Sequence, residues 1–205
     1  SKTARIALWS ARMRALFVAL LVSMLSACGG GLPSVIREEM ATTSQVKAGA
    51  ATVVFFTDFQ CPFCRRTHAA LAPIVAARHD RVRVVVRHVP LPRHPDARTA
   101  ARAAVCVERL TPPLIGDYVH ALFESQDLSE AACEELAVER GVDRARFQQC
   151  LADPSTDARI EHDIAMFDAI KGDGVPLMYV GRARLEGGQS RAALESAIDA
   201  AIAEK

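Results

Sequence analysis

The sequence predicts an α/β protein in which a β-α-β unit and a β-β-α unit are separated by a block of helices. Three observations predict it. Two apolar, β-branched runs, ATVVFFTDF at 51–59 and VRVVVRHV at 82–89, flank one helix-patterned segment. A long alanine- and charge-rich stretch, 95–171, then carries repeated helix start and stop signals. Finally VPLMYV, a glycine and RARLE lead into a last apolar stripe at helical spacing.

The first run lacks alternation, as expected of a strand covered on both faces. It leads straight into Cys61-Pro62-Phe63-Cys64. From 62 to 78 the pattern becomes helical. Pro62 suits the first helical position, where its missing N–H would have had no partner. Leu71, Ile74 and Val75 give an apolar face, and Pro73 predicts a kink. Residues 82–89 form the second buried strand, and the strand–helix–strand order implies a parallel pair. PLPRHP breaks the chain. Helices are then predicted over 95–110, 114–125, 129–140, 143–151 and 155–171, with Ser129, Glu130 and Gly141 among their boundary signals. Residues 175–180 and 182–186 pair as a hairpin across Gly181. Leu194, Ala197, Ile198, Ala201 and Ile202 line the closing helix.

The totals fit one globular domain: 205 residues, half of them hydrophobic, with a net charge of +1. Lys and Arg are scattered and only 5% of residues are aromatic, so neither a basic stripe nor a stacking platform for nucleic acid is visible. The N-terminus points out of the cytoplasm. Residues 13–28 read MRALFVALLVSMLSAC, a basic start, a short apolar core and a small-residue ending, which is the layout of a secretory signal. Residues 1–12 carry no such feature and read as lying upstream of a start at Met13. The ending L-S-A-C resembles the lipobox of bacterial lipoproteins, which implies lipidation of Cys28 and a membrane anchor. Residue 29 is not aspartate, which in that family leans toward the outer membrane. The expected organisation is a signal segment at 1–27, a lipid-anchored linker at 28–50 with one short helical stretch near 35–40, and a folded domain at 51–203.

Six cysteines in an extracytoplasmic chain point to disulfide chemistry. Cys61 falls at a strand-to-helix junction and Cys64 one turn later, which puts both sulfurs on one side. There the first sulfur faces unpaired N–H groups and the positive end of the helix dipole, an environment that lowers a thiol pKa. Cys61 is therefore the expected nucleophile and leaving group, and Cys64 the resolving thiol. A zinc site wants four ligands, and no second CxxC exists, although His68 could join the pair. A structural staple over so short a loop would contribute little.

FFTDFQCPFC, the helix with Pro73, VRHVPLPRHPDA, GVPLMYVGRARLEGG and the final helix together resemble the DsbA-like branch of the thioredoxin superfamily. The resemblance covers about residues 50–203. It implies a thioredoxin fold with an inserted helical subdomain, here about 95–171, and protein thiol-disulfide oxidoreductase activity without a bound cofactor or metal. It also implies a cis Val175-Pro176 bond beside the CxxC. Pro62, Phe63, Val175 and Pro176 are the expected substrate contacts. The implied partners are reduced or misoxidised secreted proteins and a membrane redox protein, acting on a monomer. Net oxidation is the leading direction, with a reductase or isomerase as the rival and a non-enzymatic metal carrier as the alternative of another class. Two departures bear on this. Phe63 cannot donate a hydrogen bond to the thiolate as the histidine of the best-known oxidase does. Phe55 occupies the position where many relatives carry a buried acid; Asp58, nearer the motif, is expected in solvent at the strand's end.

Of the remaining cysteines, helix spacing favours Cys133 with Cys150, whereas the family resemblance favours a structural Cys106–Cys150 disulfide. Either pairing leaves one thiol. His88 and His94 read as surface or loop residues, and His68 as solvated.

Overall fold

The computed structural model describes residues 31–42 and 50–204; the signal segment expected at 1–27 and the expected lipidation site Cys28 lie outside them. The elements run α1 (Ser34–Thr42), β1 (Ala51–Thr57), α2 (Pro62–Ala77), β2 (Val82–His88), α3 (Ala97–Leu110), a 3-10 turn (Pro112–Leu114), α4 (Ile115–Glu124), α5 (Glu130–Val138), α6 (Arg144–Ala152), α7 (Pro154–Ala169), β3 (Leu177–Val180), β4 (Ala183–Glu186) and α8 (Arg191–Ala203). This is the thioredoxin order, with five helices between β2 and β3.

The sheet order is β2-β1-β3-β4, parallel between β1 and β2 and antiparallel elsewhere. All seven residues of β1 are buried, as its unbroken apolar run requires. Its alternate side chains serve opposite faces. Phe55 points toward α4, where its ring lies 6.4 Å from Phe123. Phe56 points the other way, 5.7 Å from Phe167 of α7. The first face is completed by Leu71 and Ile74 of α2 and Leu194 and Ile198 of α8.

Two boundaries shift from expectation for local reasons. β1 stops at Thr57 because the Asp58 side chain accepts the amides of Gln60 (2.7 Å) and Cys61 (3.2 Å), which turns the chain out of the sheet. β3 starts only at Leu177, since Pro176 has no N–H for a ladder; the Val175-Pro176 bond is cis, as the resemblance implied. α2 continues through Pro73.

The segment expected to be linker holds more structure than its sequence suggested. α1 spans nine residues, with Ile36 fully buried. Its Glu39 reaches Arg87 of β2 in a buried ion pair. Arg87 also lies 3.7 Å from Asp163 of α7, so one guanidinium ties α1, β2 and α7 together.

In the helical block, Cys106 of α3 and Cys150 of α6 are joined by a disulfide. Cys133 remains a buried thiol, donating to the Leu128 carbonyl at 3.5 Å. The Cys133–Cys150 pairing that helix spacing favoured is absent: Tyr118 donates its hydroxyl to the Cys133 carbonyl and, with Leu128, fixes that cysteine in the apolar core.

Candidate active site

Cys61 is the N-cap of α2, with extended backbone angles (φ −71°, ψ 120°), and Pro62 opens the helix. No side chain caps these first amides, so the Cys61 sulfur meets the helix's unpaired N–H groups. The pair is strongly asymmetric. The Cys64 thiol, followed by the backbone amides of Cys64 and Phe63, holds the Cys61 thiol down at about 6 against an ordinary 9.0. Burial, and then the hydrogen bond to Cys61, pushes Cys64 far upward. Thr57, buried at the end of β1, lies against Cys64 and works weakly in the opposite direction. One sulfur is thus disposed to be a thiolate at neutral pH and the other to keep its proton.

The cis-proline loop closes over this pair. The Cys61 thiol points at the Val175 carbonyl, 3.7 Å away, across 114 residues of sequence. Gln189, after β4, donates its amide to Thr67 Oγ1 of α2 at 3.1 Å and ties the segment that follows the hairpin to the helix. Phe63 stands out from this surface at 52% exposure, with the Arg66 guanidinium 4.5 Å from its ring centre. A cysteine pair, an exposed aromatic and a backbone carbonyl beside a proline therefore share one face. The fold brings together Cys61, Cys64, Pro62, Phe63, Val175 and Pro176. Cys106 and Cys150 lie apart from them, in the helical block.

Asp58 departs most from its sequence reading. It is 2% exposed rather than solvated. Besides the amides of Gln60 and Cys61, its carboxylate accepts the Leu91 amide and His94 Nδ1, both at 2.8 Å. The PLPRHP segment folds back over the strand end and shields it. Gln60 and Asp96 reinforce this closure by exchanging two hydrogen bonds, of 3.2 and 2.7 Å. The nearby negative charge raises the Cys61 pKa, opposing the helix terminus. The only sequence hint was a carboxylate two and three residues before amides at a turn, the pattern of a side-chain-closed turn.

The histidines are also corrected. His88 is buried rather than at the surface, because β2 continues under α7 and its amide donates to Asp163. His68 is buried against Phe123, ring centres 4.5 Å apart, and faces His120 across 3.2 Å instead of solvent. His94 is a loop residue, as expected, but is held by Asp58. Among the described residues no three His, Cys, Asp or Glu side chains converge as a metal cage.

The chain matches the thioredoxin family model over residues 46–200. It is 32% identical over 161 residues to a Na(+)/H(+) antiporter of Salinispora tropica, an alignment covering 74% of this chain but only 23% of that protein. The chain therefore spans about a quarter of the length of that curated relative. A solved thioredoxin-like oxidoreductase from Silicibacter pomeroyi superposes with a TM-score of 0.65 at 29% identity, over 76% of this chain and 88% of that one. A thiol-disulfide exchange protein from Wolbachia pipientis, alpha-DsbA2, shares the fold with a TM-score of 0.66 at 18% identity, over 73% and 81% of the two chains. The family match spans most of the chain, and the solved structures share its fold: the chain belongs to the thioredoxin family.

Proposed function

We propose that the enzyme oxidises secreted proteins outside the cytoplasm, held to a membrane by lipid on Cys28. The observation that carries the direction is the Cys61 pKa of about 6. Stabilising the thiolate stabilises the reduced enzyme, and a disulfide whose reduced form is stabilised is a good oxidant.

The reaction balances without a bound cofactor. A substrate thiolate attacks Cys61 Sγ of the Cys61–Cys64 disulfide. A substrate–Cys61 mixed disulfide forms, and the Cys61–Cys64 bond breaks. Cys64 leaves with the electron pair and takes a proton at once, given its raised pKa. The substrate's second thiolate then attacks the substrate sulfur bonded to Cys61; the substrate disulfide forms, and Cys61 leaves as a thiolate. The substrate has lost two electrons and the enzyme has gained them. A membrane redox partner, quinone-linked in this reading, returns the enzyme to the disulfide. The Val175 carbonyl and the proline that follows it form the wall along which an extended substrate would lie, and Phe63 offers it an apolar contact.

Lipidation rests on Leu25-Ser26-Ala27-Cys28 and the signal-like residues before it. The test of direction is the reduction potential of Cys61–Cys64 in glutathione buffers, with Cys106, Cys133 and Cys150 followed separately by mass. A value near about −120 mV supports an oxidase; one near about −270 mV assigns a reductase and overturns the proposal.

A further inference from the structure

Disulfide exchange at Cys61 puts a negative charge on Cys64 Sγ, and Cys64 is fully buried. The sulfur belongs to the same apolar cluster as Phe55, Leu71 and Ile74. A charge in such surroundings is costly unless hydrogen-bond donors meet it. The Asp58 carboxylate cannot serve. It already accepts the amides of Gln60, Cys61 and Leu91 and faces His94, and an ionised carboxylate has no hydrogen to donate.

Thr57 is the last residue of β1. Alternation along the strand sets its side chain on the face of Val53 and Phe55, the face against which Cys64 and Leu71 of α2 pack. It is 1% exposed, and its carbonyl is occupied by the Val89 amide at 2.9 Å. Its Oγ1 is buried with no hydrogen-bond partner among the described residues. An idle buried hydroxyl is a standing cost to the fold. Valine would fill the same space in a strand without that cost.

The idle hydroxyl lies beside the sulfur that must carry charge. The Thr57 side chain and the Asp58 amide both draw the Cys64 thiol downward, against its burial. Two donors from consecutive residues therefore converge on one sulfur. A neutral thiol is a weak acceptor, so the hydroxyl stays unengaged in the reduced pair. A thiolate is a strong acceptor, and donors fixed before the charge forms need no rearrangement to meet it.

We propose that Thr57 is a catalytic residue, its hydroxyl and the Asp58 amide receiving the negative charge on Cys64 Sγ as the Cys61–Cys64 bond breaks. The incoming thiolate sulfur bonds to Cys61 Sγ, and the electron pair of the broken bond goes to Cys64 Sγ. Thr57 donates a hydrogen bond and keeps its proton. The proton that then neutralises Cys64 is the one the incoming thiol shed to water. In reverse, the same contact steadies the Cys64 thiolate as it attacks the mixed disulfide. Thr57 thus acts on the rate and not on the equilibrium. This role rests on exchange at Cys61–Cys64 and holds for either net direction.

The test follows reduction of the Cys61–Cys64 disulfide by glutathione at pH 7, with acid quench and mass detection, in the parent chain, Thr57→Val and Thr57→Ser. Thr57→Val should slow the reaction about tenfold, the effect of one hydrogen bond to a charged leaving group. Its equilibrium constant with glutathione should stay within about twofold of the parent, since Cys64 is a neutral thiol once reduced. Its urea midpoint should be equal or higher, because an unpartnered donor has been removed. Thr57→Ser, which keeps the hydroxyl, should recover most of the rate. Equal rates for Thr57→Val and the parent, a Thr57→Ser as slow as Thr57→Val, or a rate loss matched by the shift in equilibrium would overturn the proposal. Loss of the fold in Thr57→Val would also overturn it, by showing that the hydroxyl is a structural bond. A parent chain that exchanges nothing with glutathione would remove the exchange reading and this role together, whereas a reductase-like potential would change only the direction.

Discussion

Asp58 Oδ2 lies 2.8 Å from His94 Nδ1, with the aspartate side chain fully buried and the two residues 36 positions apart in sequence. The same carboxylate holds the Cys61 amide. Loop closure and thiol electrostatics therefore meet at one side chain. Asp58→Asn removes the charge that raises the Cys61 pKa, so the thiolate should titrate lower, by less than about one unit. The fold should also lose roughly 1–3 kcal/mol, because an amide oxygen serves fewer of the four donors. Thiolate absorbance against pH checks the first part and urea unfolding the second. An unchanged or raised pKa would show that the carboxylate acts only as a brace.

The pH dependence of Cys61 should be visible in its chemistry. Alkylation of the reduced enzyme should rise through a midpoint near pH 6 and leave Cys64 unmodified in the folded state. Stability follows with a definite sign. The folded-state pKa lies below the ordinary 9.0, so the Cys61 contribution to the reduced fold is full above about 9 and lost as pH falls through 6. At pH 7 it is on the order of 1 kcal/mol. The disulfide form, with no thiol at 61 to titrate, should lack this dependence. A midpoint near 9 would remove the basis for the proposed direction.

Cys61→Ser should abolish disulfide exchange. Cys64→Ser should instead accumulate a mixed disulfide with substrate on Cys61, seen as a mass shift that reductant reverses. A trap on Cys133 in place of Cys61 would contradict the assigned order of attack.

The Cys106–Cys150 bridge closes a loop with a sequence separation of 44. On a chain-entropy account, Cys106→Ala with Cys150→Ala should cost roughly 4 kcal/mol. Exchange at Cys61 should persist under conditions where the variant stays folded. Equal unfolding midpoints for parent and variant would contradict this.

Arg87→Leu should cost roughly 3–5 kcal/mol, since it leaves the buried Asp163 and Glu39 with one cation fewer. Hydrogen exchange over 34–42 should accelerate first, because Glu39 is the polar anchor of α1. Unchanged protection there would show that the Glu39–Arg87 pair is not what anchors the helix.

How far the sequence discloses this molecule can be judged from the same residues. β1 was legible because seven adjacent positions are apolar or β-branched, and α2 because Pro62 and the Leu71–Ile74–Val75 face repeat at helical spacing. The Cys61–Cys64 pair was legible from spacing alone. Asp58, His88 and Glu39 were not, because each is defined by a partner 36, 75 or 48 residues away. Local pattern assigns a charged residue to solvent by default, and only the folded loops reveal what shields it.

The strand order has a consequence for how this chain must be made. β1 pairs with β2 soon after both are synthesised, but its other side waits for β3, as Val53 meets Val180 across 127 positions. Until the hairpin arrives, the most apolar strand of the protein offers a row of unpaired amides and carbonyls to any neighbour. ATVVFFT, uncharged and rich in β-branched and aromatic residues, is the kind of segment that such exposure turns into intermolecular cross-β structure. A fragment ending before Leu177 should therefore aggregate where the whole chain does not. High contact order at this one strand makes the last thirty or so residues guardians of the first half.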